Sequence, residues 1–230
     1  MPREPTERQG DEERPFTTEA AEGSLRRRRS TRRDELAARL RAAALEVAGE
    51  EGYAALSVER ILARAGVGRS SFYALFAGKD ECYLAAYEEA AGELEEVLLG
   101  PCREASDWLD GLTASLAALA RLLAERPAWA AAVLAEVRVA GGAAGARRKE
   151  VFERLSRAID TARRETRSHH SPPPTTAPFI LAGIESAAIR SLRGLGPDFA
   201  TAVPDLVYVA AVPYLGAEAA ARGRRRARRG

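Results

Sequence analysis

Ser57, Arg69, Ser70, Ser71, Tyr73 and Lys79 fall inside the stretch SVERILARAGVGRSSFYALFAGK, with Ala74 among them. Hydroxyls and cations without a metal-ligand set or a paired base hold anions and base edges; they do not break bonds. That chemistry needs the groups to be carried on one short rigid face. The stretch interrupts its own helical pattern at Gly66-Val67-Gly68 and again at Gly78-Lys79. A helix-interior glycine costs about 1 kcal/mol relative to alanine, so two breaks this close serve a reorientation between short helices.

Ser57 can cap a helix running through Val58, Ile61 and Leu62 to Ala65. After the glycine turn a second helix is expected from Arg69 to Phe76, with Phe72 and Phe76 one turn apart on its inner face. The helical wheel then points Ser70 and Ala74 outward, with Ser71 close by and Tyr73 on the flank. Ahead of both, Leu36, Leu40, Ala44, Val47 and Ala48 form an apolar stripe on a helix from Thr31 that Gly52 ends. Such a unit is a helix-turn-helix, which delivers its second helix to a DNA major groove. The alternative is a helical hairpin inside an all-α core.

The remaining pattern is helical, with no strand alternation and no internal repeat. A long helix is expected from Asp80 to Leu99, stopped by Gly100-Pro101. Trp108–Glu125, Pro127–Val139, Ala146–Arg167, Phe179–Arg193 and Val203–Leu215 follow, and Ser168–Pro178 reads as a stiff polar connector. The expected fold is all-α. The domain boundaries are a disordered acidic and basic arm over 1–29, a three-helix DNA-binding domain over 30–79, a helical domain over 80–221 and a basic tail over 222–230.

Thr31 to Tyr87, and above all VERILARAGVGRSSFYALFAGKDECY, resembles the N-terminal DNA-binding domain of the TetR family of transcriptional regulators. Ala65-Gly66-Val67, Phe72-Tyr73, Phe76 and Lys79 stand at the family's spacing. The resemblance implies that Ser57 touches a phosphate, that Arg69, Ser70 and Ser71 begin the recognition helix, and that Tyr73 and Lys79 contact the DNA backbone. It also implies that the later helices bind a small-molecule effector and form a homodimer on a pseudo-palindromic operator, most often as a repressor. Gly68 stands where the family often has Ser or Thr, and Ala74 and Leu75 where it often has polar or aromatic residues. Base reading then leans on Arg69, the two serines and Ala74 against a thymine methyl.

For the effector, the candidates are Trp108, Trp129, Val133, Glu136 and Phe152, although aromatics at helical spacing such as Trp108, Trp129 and Phe152 are usually core. Glu136 either faces solvent beside Arg138 or meets a polar group of the ligand. The candidate dimer interface is the last two helices, with Phe179, Gly183, Ala187, Leu206 and Val209. The Arg26–Arg33 run, Arg33 included, reads either as a solvated tail or as an arm that reaches phosphates.

The 230 residues include 35 Lys and Arg against 33 Asp and Glu, for a net charge of +2, so the distribution of charge says more than its sum. Two cysteines and two histidines are too few for a structural zinc site or a disulfide framework, and no metal or cofactor is expected. No phosphate-binding glycine loop or nucleophile elbow is present, so an enzyme is not expected. A polar N-terminus and the absence of an uncharged apolar run near 20 residues favour the cytoplasm over a membrane. The rival reading is a helical small-molecule-binding or protein-interaction module without a gene-regulatory role.

Overall fold

The computed structural model describes residues 18–165 and 172–229. Among these it is all-α: α1 Thr18–Glu51, α2 Val58–Ala65, α3 Arg69–Tyr73, α4 Lys79–Glu104, α5 Trp108–Glu125, α6 Pro127–Ala131, α7 Val137–Ala140, α8 Gly142–Glu165, α9 Thr176–Leu192 and α10 Phe199–Ala227. A 3-10 turn at Tyr53–Ala55 precedes α2, and a π-helical turn at Ala132–Glu136 joins α6 to α7.

Met1–Ala38 and Arg39–Gly230 form two compact units. In the first, Ser30 Oγ donates to Asp34 at 3.4 Å and Thr31 Oγ1 donates to the Arg27 carbonyl at 3.0 Å. The expected disordered arm over 1–29 is corrected from Thr18 onward, where the backbone is helical. Ser24 to Ala48 contains no Gly or Pro. Once the stripe at Leu40, Ala44 and Val47 is buried, each further turn adds a backbone bond without a new nucleation cost. Residues 1–17 of the expected arm lie outside the described residues.

In the second unit the core is built from long helices. α4 does not stop at Gly100-Pro101 but continues to Glu104 with Pro101 inside it. Pro101 removes one helix donor. Nearby, the Leu98 carbonyl accepts the Ser115 hydroxyl at 2.7 Å, which ties α4 to α5. Asp107 caps α5 through the Asp110 N–H at 2.8 Å.

α10 joins two helical runs across Gly216, where φ is 78°. The first packs Tyr214 edge-on against Trp108 at 5.3 Å. The second reaches back so closely that a Cβ on Gly223 would lie 2.7 Å from Leu109 Cδ1. The expected basic tail over 222–230 is thus helical through Ala227 and folded back, with Arg224 on Asp205 and Arg226 on Asp110, both at 2.7 Å. By length and composition alone α10 is apolar enough to cross a membrane, yet it is a packed helix in this fold, with Phe199, Val207 and Tyr214 fully buried. Most of the Ser168–Pro178 connector lies outside the described residues, and α9 already begins at Thr176.

Candidate nucleic-acid interface and effector cavity

Ser57 accepts the Arg60 N–H at 3.3 Å and so caps α2. Gly66 ends that helix in the left-handed region, at φ 63° and ψ 43°, which a residue with a Cβ adopts only with strain. Arg39 fastens the same corner by donating to the Ala65 carbonyl at 2.5 Å. Arg64 reaches Glu46 at 3.1 Å and Glu50 at 2.5 Å, which braces α2 against α1.

Phe72 and Phe76 are buried with their rings 5.8 Å apart, so α3 is locked by its inner face. Arg69, Ser70, Tyr73 and Ala74 are exposed and Ser71 is half-buried. Tyr73 stands edge-on to Phe72 at 5.4 Å with 51 % of its surface free. The helix proper is shorter than expected. It ends at Tyr73, and Leu75 and Phe76 close on the Phe72 carbonyl at 2.9 Å each.

Two of the expected phosphate cations are held by the protein itself. Arg69 pairs with Glu59 at 2.7 Å on the surface. Lys79 Nζ donates to the Leu56 carbonyl at 2.9 Å and lies 5.0 Å above the Tyr53 ring. That carbonyl immediately precedes Ser57, so the lysine, the Ser57 hydroxyl and the N-termini of α2 and α4 converge at one corner. Helix N-termini carry partial positive charge, which adds to the lysine's own charge at this corner. Arg33 is exposed and belongs to the first unit.

Tyr53 is a site residue that the sequence reading missed. Its N–H donates to Glu136 Oε2 at 2.9 Å and its hydroxyl to Asp80 Oδ1 at 2.6 Å. Its ring meets Tyr83 edge-on at 4.8 Å. Tyr83 in turn donates to the Ala132 carbonyl in the π turn at 2.8 Å. Burial and the Asp80 carboxylate push the Tyr53 phenol well above its ordinary range, and burial does the same for Tyr83, so both remain donors. Gly49 completes this junction: a Cβ there would lie 1.8 Å from the Ala128 carbonyl oxygen. Backbone meets backbone between α1 and α6. Aromatic residues after a helix-ending glycine were the one legible sign of this contact.

A cavity of about 550 Å³ lies among α4, α5, α8 and α9. Leu98 and Cys102, Trp108, Leu112 and Leu116, Leu155 and Ile159, and Leu181 and Ile184 form most of its wall. A narrower recess of about 50 Å³ shares Leu98, Leu155, Leu181 and Ile184 with it and extends to Tyr87, Val133, Phe152 and Arg148. Of the five expected effector residues, Trp108 lines the chamber and Val133 and Phe152 line the recess. Trp129 and Glu136 line neither.

The correction has a simple cause. Trp129, Val133 and Glu136 share one face of an α-helix, but the turn between them is a π turn in which the Val137 N–H bonds back to Ala132. The wider i→i+5 turn carries Glu136 off that face. Glu136 meets Tyr53 and, at 3.7 Å, Arg193. Trp129 is buried beneath the Arg126 guanidinium at 4.6 Å.

On α9 and α10, Phe179 is 76 % exposed and Val209 63 % exposed. With Gly183 and Leu206 they line a surface groove of about 400 Å³. Ala187 is half-buried and is not part of its lining.

Comparison with known proteins agrees with this arrangement. The family model described as bacterial regulatory proteins, tetR family, matches residues 40–86. Over those residues the chain is similar to the TetR family. The matched segment runs from the buried end of α1 through the helix-turn-helix into α4, so the TetR-type domain includes Tyr53, Lys79 and Tyr83. No curated protein matches the chain.

Among solved structures, a TetR-family transcriptional regulator from Pectobacterium atrosepticum is 26 % identical, with a TM-score of 0.56 over 77 % of this chain and 91 % of that one. The fatty acid degradation regulator FadR from Bacillus halodurans is 17 % identical at a TM-score of 0.66, over 76 % and 94 % of the two chains. A TetR family transcription regulator from Marinobacter aquaeolei VT8 is 20 % identical at 0.63, over 79 % and 96 %. The likeness of fold to these structures therefore extends beyond residues 40–86 to the helices behind the helix-turn-helix.

Proposed function

We propose that the protein is a ligand-responsive transcriptional regulator, a repressor, that binds a pseudo-palindromic operator as a homodimer and is released when a small apolar or amphipathic effector enters the cavity among α4, α5, α8 and α9. The carrying observation is that one helix serves both ends. α4 begins with Lys79 and Asp80 at the Tyr53 corner and carries Leu98 and Cys102 in the cavity wall, about 29 and 35 Å further on at 1.5 Å per residue.

Arg69, Ser70, Ser71, Tyr73 and Ala74 present the reading face, and Ser57 and Lys79 the phosphate contacts. Two such faces must sit in successive major grooves about 34 Å apart. An effector that prefers a different tilt of α4 lowers DNA affinity by the difference in its own affinity for the two forms. The surface of exposed Phe179, Gly183 and Val209 with half-buried Leu206 is the dimer contact, since apolar patches of this kind seldom face water. The protein acts by binding, not as an enzyme, and works in the cytoplasm. A helical binding module without a regulatory role would have no use for an exposed α3 face carried beside an α2 that ion pairs brace against α1.

The test is fluorescence anisotropy with a duplex from the region upstream of the protein's own gene. Binding with a steep loss of affinity on added salt is expected, together with loss of binding in the Arg69→Ala/Tyr73→Ala double variant. Equal affinity of that variant and the parent protein would overturn the reading.

A further inference from the structure

In the wall of the recess, Glu185 on α9 accepts from Arg148 Nη2 at 2.7 Å on each oxygen, from Arg148 Nε at 3.3 Å and from Arg138 Nη2 at 2.6 Å. The Glu185 side chain is only 10 % exposed and that of Arg148 23 %. The neighbouring pairs are one to one: Arg154 with Glu95 at 3.0 Å and Arg147 with Glu150 at 2.9 Å. Two guanidinium groups on one carboxylate therefore leave one positive charge in excess, with Arg138 half exposed and Arg148 the more buried of the two. Arg148 also lies over the Phe152 ring at 5.8 Å, which fixes its planar fork at the recess wall.

From this charge excess and the shared wall at Leu98, Leu155, Leu181 and Ile184, we infer that the effector is an amphiphile with a carboxylate head, its apolar body in the large chamber and its head on Arg148. The inference rests on the chamber being the effector site.

Size agrees with this assignment. A water needs about 10–15 Å³, so a recess of about 50 Å³ admits a carboxylate and a methylene or two, while the 550 Å³ chamber lies in the ordinary range for small-molecule sites. Geometry agrees as well. A guanidinium binds a second carboxylate along its free edge, and Arg–carboxylate pairs are strong where water is scarce. The incoming head competes with Glu185 for Arg148 and loosens the Arg148–Glu185–Arg138 link among α8, α9 and α7. Arg138 is two residues beyond Glu136, the partner of Tyr53. Head-group binding thus reaches the junction that holds the DNA-binding unit.

The experiment uses the full-length protein and the neutral fluorophore N-phenyl-1-naphthylamine, displaced by dodecanoate or by its methyl ester. Dodecanoate is expected to displace the fluorophore at a concentration about tenfold lower than the ester, the preference one charge-assisted pair supplies. Arg148→Met, which keeps an apolar stem over Phe152, should remove the preference between acid and ester. Glu185→Gln should tighten dodecanoate several-fold and leave the ester unaffected, because it frees the guanidinium from its internal competitor. A purely structural ion pair gives no such gain.

Equal displacement by acid and ester, or a preference that survives Arg148→Met, overturns the inference while leaving the cavity as the effector site. Should Arg148→Met fail to fold, an unchanged dodecanoate affinity in Glu185→Gln overturns it instead. Failure of the fluorophore to bind at all removes the effector-cavity reading itself.

Discussion

Replacing Gly49 by Ala puts the most direct strain on the contact between the DNA-binding unit and the helices behind it. The new Cβ would lie 1.8 Å from the Ala128 carbonyl oxygen and 2.5 Å from its carbon. Neither partner is the end of a flexible side chain, so α1 and α6 must part by roughly 1.5 Å to regain van der Waals contact. A shift of that size stretches the Tyr53–Glu136 bond of 2.9 Å and the Tyr83–Ala132 bond of 2.8 Å. Each is worth about 1 kcal/mol and overpacking adds about 1–3 kcal/mol, so the expected loss is roughly 3–5 kcal/mol, a large part of a typical domain's total stability.

Urea unfolding followed by circular dichroism reads this as a lower midpoint, and the melting temperature should fall by about 2–4 °C for each kcal/mol. Gly92→Ala is the matched control. Gly92 is exposed inside α4 and an added Cβ meets nothing within 4 Å, so that variant should gain about 0.5–1 kcal/mol. If Gly49→Ala unfolds at the same urea concentration as the parent protein, the α1–α6 contact is soft and cannot transmit the position of α6 to the DNA-binding unit.

Three further outcomes follow from the same geometry. Glu136→Ala should speed hydrogen exchange at the Tyr53 amide, whereas Glu136→Gln, which retains an acceptor, should leave it slow; equal rates in the two variants would show that Glu136 does not hold that N–H. Cys102, half-buried in the cavity wall, should be alkylated by a small maleimide and protected by N-phenyl-1-naphthylamine. Cys82 is fully buried with its thiol pushed up to about 12 by desolvation, so it should remain unreactive until the chain unfolds. Because the folded protein holds the Cys82 proton above the ordinary thiol value of 9.0, its contribution to stability is complete below pH 9 and is lost as pH rises from 9 toward 12. Tyr87, also raised to about 12 by burial, acts in the same direction. Urea midpoints between pH 8 and 11 should therefore decline, and less steeply in Cys82→Ala.

The helix-turn-helix was legible in the sequence because its determinants are local. Gly66 supplies a left-handed corner, Ser57 a cap within its own first turn, and Phe72 with Phe76 an inner face one turn apart. α5 likewise starts at Trp108 behind the Asp107 cap and ends at Glu125 before Pro127, as its pattern implies. Where the sequence was misleading, the deciding interaction came from elsewhere in the chain. Pro101 does not end α4, whose neighbouring Leu98 carbonyl meets the Ser115 hydroxyl of another helix.

The basic run after Arg222 is no free tail, since Asp110 and Asp205 draw it back onto α5 and α10. Trp129, Val133 and Glu136 follow helical spacing, but a single π turn, invisible to a periodic count, turns Glu136 toward Tyr53. Lys79 carried the right charge for a phosphate, yet only packing shows that it rests on the Leu56 carbonyl beside Ser57. Local backbone preference determines where helices begin and turn, and the sequence carries that alone. Which charge meets which, and where four helices fail to close and leave a chamber, depends on residues brought together from across the chain, and only the tertiary structure decides it.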